Sequence, residues 1–188
     1  ARPAAGLWAV KWGTGKICEK ASSFGAGALW LARGNGVPFH AVVLDVLARI
    51  DIEAAYRLLE NEEMPGWLFM PKNGATTVWE AWEGTATKQG GIASLNHYSK
   101  GAVCRWLFDT MCGIRVSGEN HFVIEPHPGG HFTCARAAYN SVYGQVESGW
   151  QKVDGGWKFS LVIPANCTAS LKLPGKPAVL LEAGTYTF

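Results

Sequence analysis

From Val42 to Leu59 the apolar residues recur three and four apart: Val42, Val43, Val46, Leu47 and Ile50, then Ala54, Ala55, Leu58 and Leu59. That is the period of one buried helix face. A short turn near Asp51 breaks the run, so the spacing predicts a helix pair. Glu60, Asn61, Glu62 and Glu63 end the second helix, and Pro65-Gly66 marks a turn because proline cannot continue the helical ladder. A loop-rich stretch runs on to about Gly91. Helical spacing returns from Tyr98 to Met111, with Ala102, Val103, Trp106, Leu107 and Thr110 on one side and Gly113 placed as a cap.

After Gly113 the pattern shortens. Runs from His121 to Ile124, His131 to Tyr139, Gly144 to Gln151, Trp157 to Ile163, Ser170 to Leu173 and Val179 to Phe188 predict strands. Pro126-His127-Pro128-Gly129-Gly130, Asp154-Gly155-Gly156 and Pro174-Gly175-Lys176-Pro177 supply the reversals between them. Alternation in Gln145 to Trp150 and in Trp157 to Leu161 gives each strand one wet and one buried face. The fold class expected is therefore α+β by segments, with a helical portion over 37–113 and an antiparallel β-sandwich over 114–188. Residues 1–36, rich in Gly and Ala with three Trp, show no readable period and stay unassigned.

At 188 residues the chain is long enough to bury a real core as one large or two small domains. Charged residues make up 17% of it, the net charge is +2, and Lys and Arg are scattered, which argues against a nucleic-acid partner. No stretch approaches the roughly 18 apolar residues of a membrane span, so no membrane partner is expected. Cys18, Cys104, Cys112, Cys134 and Cys167 form no CxxC pair and cannot all pair with one another. They predict neither a disulfide framework nor a metal site, and nothing in the sequence asks for a cofactor. The odd cysteine count, with no leader seen, slightly favours the cytoplasm and leaves secretion open.

Nine Trp in so short a chain is a heavy load, and two of them flank Glu80 in Thr76-Thr77-Val78-Trp79-Glu80-Ala81-Trp82. A pyranose ring has apolar C–H faces that stack on indole, and cleavage of its glycosidic bond needs a positioned carboxylate. The plainer alternative is a surface Glu between two core tryptophans. Glu83, one helical turn on, competes with Glu80 and reads as a solvated or supporting carboxylate. The Glu60, Glu62 and Glu63 cluster reads as a solvated helix end.

These segments, in order, carry a resemblance. Ala55-Tyr56-Arg57-Leu58-Leu59, Pro65-Gly66-Trp67-Leu68-Phe69, Asn73 to Trp82, Ser94-Leu95-Asn96-His97-Tyr98, Gly101-Ala102-Val103 and Trp106-Leu107 come first. Ile124-Glu125-Pro126, Pro128-Gly129-Gly130, Tyr143-Gly144 and Ile163-Pro164-Ala165-Asn166 continue them. From about Gly36 onward the chain resembles the C-terminal part of a bacterial α-L-rhamnosidase of the inverting kind: the end of an (α/α)₆ barrel, then a β-sandwich. The resemblance implies that Glu80, in the Thr-Thr-x-Trp-Glu motif, is the general base. It also implies that His97 and Asn96 contact the sugar, that Trp67, Trp79 and Trp82 line its pocket, and that the partner is a rhamnose-containing glycoside.

The family's general acid and its hydroxyl-binding carboxylates lie upstream of anything matched here, and Glu19, the only carboxylate before Asp45, does not resemble that motif. About a quarter of a barrel is present, which needs the remainder of the barrel or oligomerisation to cover its apolar faces. Three readings follow: a piece of an α-L-rhamnosidase that carries the base, a carbohydrate-binding module without turnover, or a structural fragment.

Overall fold

The computed structural model describes residues 8–12, 39–84 and 93–188. The rest of the unassigned 1–36 segment, with Cys18 and Glu19, and the end of the loop toward Gly91 lie outside the described residues. These residues form two compact units, 39–84 with 93–106, and 8–12 with 107–188.

In the first unit, helices α1 (Phe39–Ile50) and α2 (Ile52–Leu59) form the expected pair. Asp51 is the joint: its backbone is extended, and its carboxylate accepts the Glu53 N–H at 2.9 Å, capping α2. Leu44, Ala55, Tyr56, Leu59, Val103 and Trp106 are buried, and Tyr56 meets Trp106 edge to face with ring centroids 5.2 Å apart. After α2 the chain reverses tightly at Gly66, where a Cβ would lie 2.2 Å from the Asn61 carbonyl oxygen, so only glycine fits. A single turn, α3 (Phe69–Lys72), follows within what the pattern reads as loop. The expected long helix starts as two short ones, α4 (Tyr98–Gly101) and α5 (Val103–Trp106), both packed on α1.

In the second unit, residues Leu107–Met111 form a π-helical turn instead of further α-helix. Gly113 then takes φ +75°, and a Cβ there would sit 2.2 Å from the Glu125 carbonyl carbon. Nine strands follow the chain order: β1 (Trp8–Trp12), β2 (Ile114–Val116), β3 (His121–Ile124), β4 (Cys134–Ser141), β5 (Gly144–Val153), β6 (Gly156–Ile163), β7 (Thr168–Leu171), β8 (Val179–Leu181) and β9 (Gly184–Thr187). One sheet, β1-β4-β5-β6-β9, is antiparallel throughout. The other, β2-β3-β7-β8, is mixed, because β3 and β7 pair in parallel. The reason is topological: β4, β5 and β6 intervene in the other sheet, so β7 reaches β3 by a crossover and not by a hairpin.

Alternation builds the core. Ala135 and Ala137 of β4, Val146, Ser148 and Trp150 of β5, and Phe159, Leu161 and Ile163 of β6 are buried, as are Phe122, Ile124, Ala169 and Leu171 of the second sheet. Phe122 meets Tyr139 across the two sheets, 6.3 Å between centroids. Polar groups in this core are paired: Trp150 Nε1 donates to the Met111 carbonyl at 2.8 Å, and Ser148 Oγ donates to the Cys112 carbonyl at 2.6 Å. At the sandwich surface Arg115 and Lys172 clasp Glu125 at 2.6 and 2.9 Å. Burial raises the Glu125 pKa, but these two hydrogen bonds and charges outweigh it and hold the carboxyl below its ordinary range. The expected strand from Val179 to Phe188 is two, with Tyr186 OH donating to the Glu182 carbonyl at 2.9 Å where the chain changes sheet.

Candidate active site

The site is a clip of two loop segments in the helical unit. His97 N–H donates to the Val78 carbonyl at 2.9 Å, Glu80 N–H donates to the Ser94 carbonyl at 2.8 Å, and the Thr77 hydroxyl donates to the Leu95 carbonyl. Residues 77–80 and 94–97 therefore run antiparallel. Ser94 N–H returns a bond to Glu80 Oε2 at 2.7 Å, so one carboxylate oxygen is fixed by the opposite segment.

The other oxygen, Oε1, lies 3.8 Å from His97 Nε2, and the Glu80 side chain is 45% exposed. His97 is the N-cap of α4: its Nδ1 accepts the Ser99 N–H at 3.3 Å and lies 2.9 Å from Ser99 Oγ. An accepting Nδ1 leaves the neutral ring's proton on Nε2, the nitrogen that faces Glu80. The His97 ring also stacks on Tyr98, with centroids 4.8 Å apart. Asn96 is exposed beside it, and its main-chain N–H donates to Ser94 Oγ at 3.1 Å.

Three indoles of this unit are held on different terms. Trp79 and Trp82 are half-buried and pack on a cluster of Met70, Ala75 and Val78. Trp67 is buried, donates Nε1 to the Lys100 carbonyl at 3.0 Å, and meets Trp82 edge to face at 5.7 Å. Glu83 is exposed.

One group at the site escaped the sequence reading. Lys100 is 4% exposed, its ammonium donates to the Glu80 main-chain carbonyl, and its Nζ sits 4.6 Å from the Trp82 ring centroid. Burial lowers its pKa, and the Glu80 and Glu83 carboxylates partly restore it. The signal was available: Lys100 lies three residues before Val103 and seven before Leu107, on the apolar stripe. Among the described residues no cluster of His, Cys, Asp and Glu could hold a metal ion, and no helix is long and apolar enough to cross a membrane.

Comparison with known proteins bears on both units. The family model for the bacterial alpha-L-rhamnosidase 6 hairpin glycosidase domain matches residues 36–111, and that for the bacterial alpha-L-rhamnosidase C-terminal domain matches residues 115–187. The chain belongs to the bacterial α-L-rhamnosidase family. It corresponds to the end of the 6-hairpin domain followed by the C-terminal domain. An alpha-L-rhamnosidase of Formosa agariphila is 35% identical over 159 residues, which are 81% of this chain and 17% of that protein. One of Streptomyces avermitilis is 36% identical over 146 residues, 74% of this chain and 14% of that protein. A crystal structure of Streptomyces avermitilis alpha-L-rhamnosidase complexed with L-rhamnose is similar at TM-score 0.66 and 30% identity, over 79% of this chain and 17% of that one. The chain thus spans about a sixth of the length of these rhamnosidases.

Proposed function

We propose that this chain carries the water-activating half of an inverting α-L-rhamnosidase site, acting on terminal α-L-rhamnosyl residues with Glu80 as general base. The observation that supports it most is the Glu80 carboxylate itself. Ser94 N–H holds one oxygen, the other lies 3.8 Å from His97 Nε2, and the half-buried Trp79 and Trp82 neighbour the residue along the chain. In single displacement, a base removes a proton from water as its oxygen attacks the anomeric carbon, and an acid protonates the departing glycosidic oxygen from the opposite face. The two carboxyls of such a pair stand about 6.5–9.5 Å apart, leaving room for the water. Here Glu80 takes the water's proton through Oε1.

The other residues have distinct parts in this reading. Trp79 and Trp82 offer indole surface to the sugar's C–H face. Trp67 backs Trp82 from inside the fold. Asn96 and His97 offer polar groups to the sugar hydroxyls, with His97 Nε2 standing 3.8 Å from Glu80 Oε1. The general acid comes from the part of the glycosidase domain that precedes residue 36 in the family. A rhamnosidase of the same family is described as complexed with L-rhamnose, which supports the choice of sugar.

The test is an aryl α-L-rhamnoside with a good leaving group, given to wild type and to Glu80→Gln and Glu80→Gly. The Gln variant should lose about 10²- to 10⁴-fold in kcat. In the Gly variant azide should restore turnover by attacking the anomeric carbon as aryloxide leaves, giving β-L-rhamnosyl azide. Wild-type turnover by Glu80→Gln would defeat the assignment. L-Rhamnose binding, read by tryptophan fluorescence, in a protein that never turns over would make it a carbohydrate-binding fragment instead.

A further inference from the structure

We infer that Lys100 is a positioning residue for the Glu80 carboxylate: its buried ammonium, lying over the Trp82 ring, anchors the Glu80 main chain, so that the charge serves turnover. The inference rests on the reading of Glu80 as general base.

Lysine is almost never fully buried unless something holds it there. Lys100 is buried at a position where the helix pattern asks for an apolar side chain, and an apolar side chain would fill that space without desolvating a charge. What engages the ammonium belongs to the site: the Glu80 carbonyl and the Trp82 ring face, with the Glu80 and Glu83 carboxylates acting on it from nearby. The contacts also close on themselves. Lys100 Nζ lies over Trp82, Trp82 meets the edge of Trp67, and Trp67 Nε1 donates back to the Lys100 carbonyl.

For Glu80 the result is that three of its four polar handles are held. Its N–H goes to the Ser94 carbonyl, its carbonyl to Lys100, and Oε2 to the Ser94 N–H, leaving Oε1 as the oxygen free to meet water. A base acts at full rate only when held close to its productive geometry. Without Lys100 the clip keeps its Ser94 bonds but loses the anchor behind the Glu80 peptide.

Lys100→Met keeps a buried aliphatic side chain of similar length and removes the ammonium. In the full-length protein, on α-L-rhamnosyl fluoride, whose fluoride leaves without a proton, it should lower kcat about 10- to 100-fold with KM nearly unchanged. Added to Glu80→Gln it should cost less than about twofold more, because it acts through a group already lost. Wild-type kcat, a change in KM alone, or a loss that multiplies fully with that of Glu80→Gln would overturn the inference. Full turnover by Glu80→Gln alone would instead defeat the assignment of Glu80, and this inference with it. A second measurement needs no turnover and no Lys100 variant: in a ¹³C NMR titration of the lysine ε-carbons, Lys100 should titrate below the exposed lysines, and lower still in Glu80→Gln. A Lys100 signal that titrates with the exposed lysines and ignores Glu80→Gln would overturn it as well.

Discussion

Lys100 in the helical unit and Ser148 in the sandwich are the polar side chains that the described residues bury most completely, at 4% and 0% exposure. Ser148 is neutral, stands on the inward face of β5, and gives its one proton to a main-chain carbonyl. Nothing about it needs a ligand: the hydroxyl ties β5 to the residues after the π turn, and the bond offsets its desolvation. Lys100 is charged, and among the described residues its ammonium engages the Glu80 carbonyl and the Trp82 ring of the candidate site. The sandwich buries a polar group for the sake of the fold. The helical unit buries one at a cost to the fold, which is how a site, as opposed to a core, reveals itself.

The contrast can be strained hardest in the sandwich core. Trp150→Ala removes a buried indole and the bond to the Met111 carbonyl, and should cost about 3–5 kcal/mol in urea unfolding. Ser148→Ala should cost about 1–3 kcal/mol, because the Cys112 carbonyl is left buried without its donor. Lys100→Met, by contrast, should leave the thermal midpoint unchanged or raise it, since a desolvated charge disappears and the stem still packs. If Ser148→Ala is harmless while Lys100→Met unfolds the protein, the comparison is reversed.

Acid offers a milder probe. The folded Glu125 pKa lies below its unfolded value, about 4.3, so its contribution to stability is fully present above that pH and fades as pH falls through the folded value. Urea midpoints of wild type and Glu125→Gln should therefore differ by a constant amount from pH 7 down to about 5, then converge in stronger acid. The smallest effect belongs to the helix joint. Asp51→Ala should lower the melting midpoint slightly through the lost α2 cap, read by circular dichroism.

What the sequence disclosed follows the physics of each segment. The α1–α2 pair and its break at Asp51 were legible because a strong 3.6-residue period met a capping residue. Strands β3 to β6 were legible because short apolar runs, alternating in parts of β5 and β6, are bounded by turn residues. Strand β2 was not, because three residues after a glycine are too few to show a period. The run from Val179 to Phe188 looked continuous because alternation says which face a residue takes but not which sheet it joins. The expected helix from Tyr98 to Met111 hid its change from α to π, since one extra residue per turn barely disturbs an apolar stripe. At the site, the run around Trp79 and Trp82 pointed to Glu80, and the family motif pointed to His97. Their meeting through the Val78 and Ser94 backbones depended on main-chain pairing, which leaves no mark on side-chain identity. Lys100 was passed over because a single charge on a helix usually marks its wet side.

The pairing of β1 with β4, from Trp8 opposite Tyr139 to Trp12 opposite Ala135, bears on how the C-terminal domain can be dissected. A fragment cut at residues 115–187 would lack β1 and leave the β4 main chain with a row of unsatisfied amides and carbonyls. Such a row is a template for pairing with another copy, so the excised piece should self-associate through β4 where the longer chain does not.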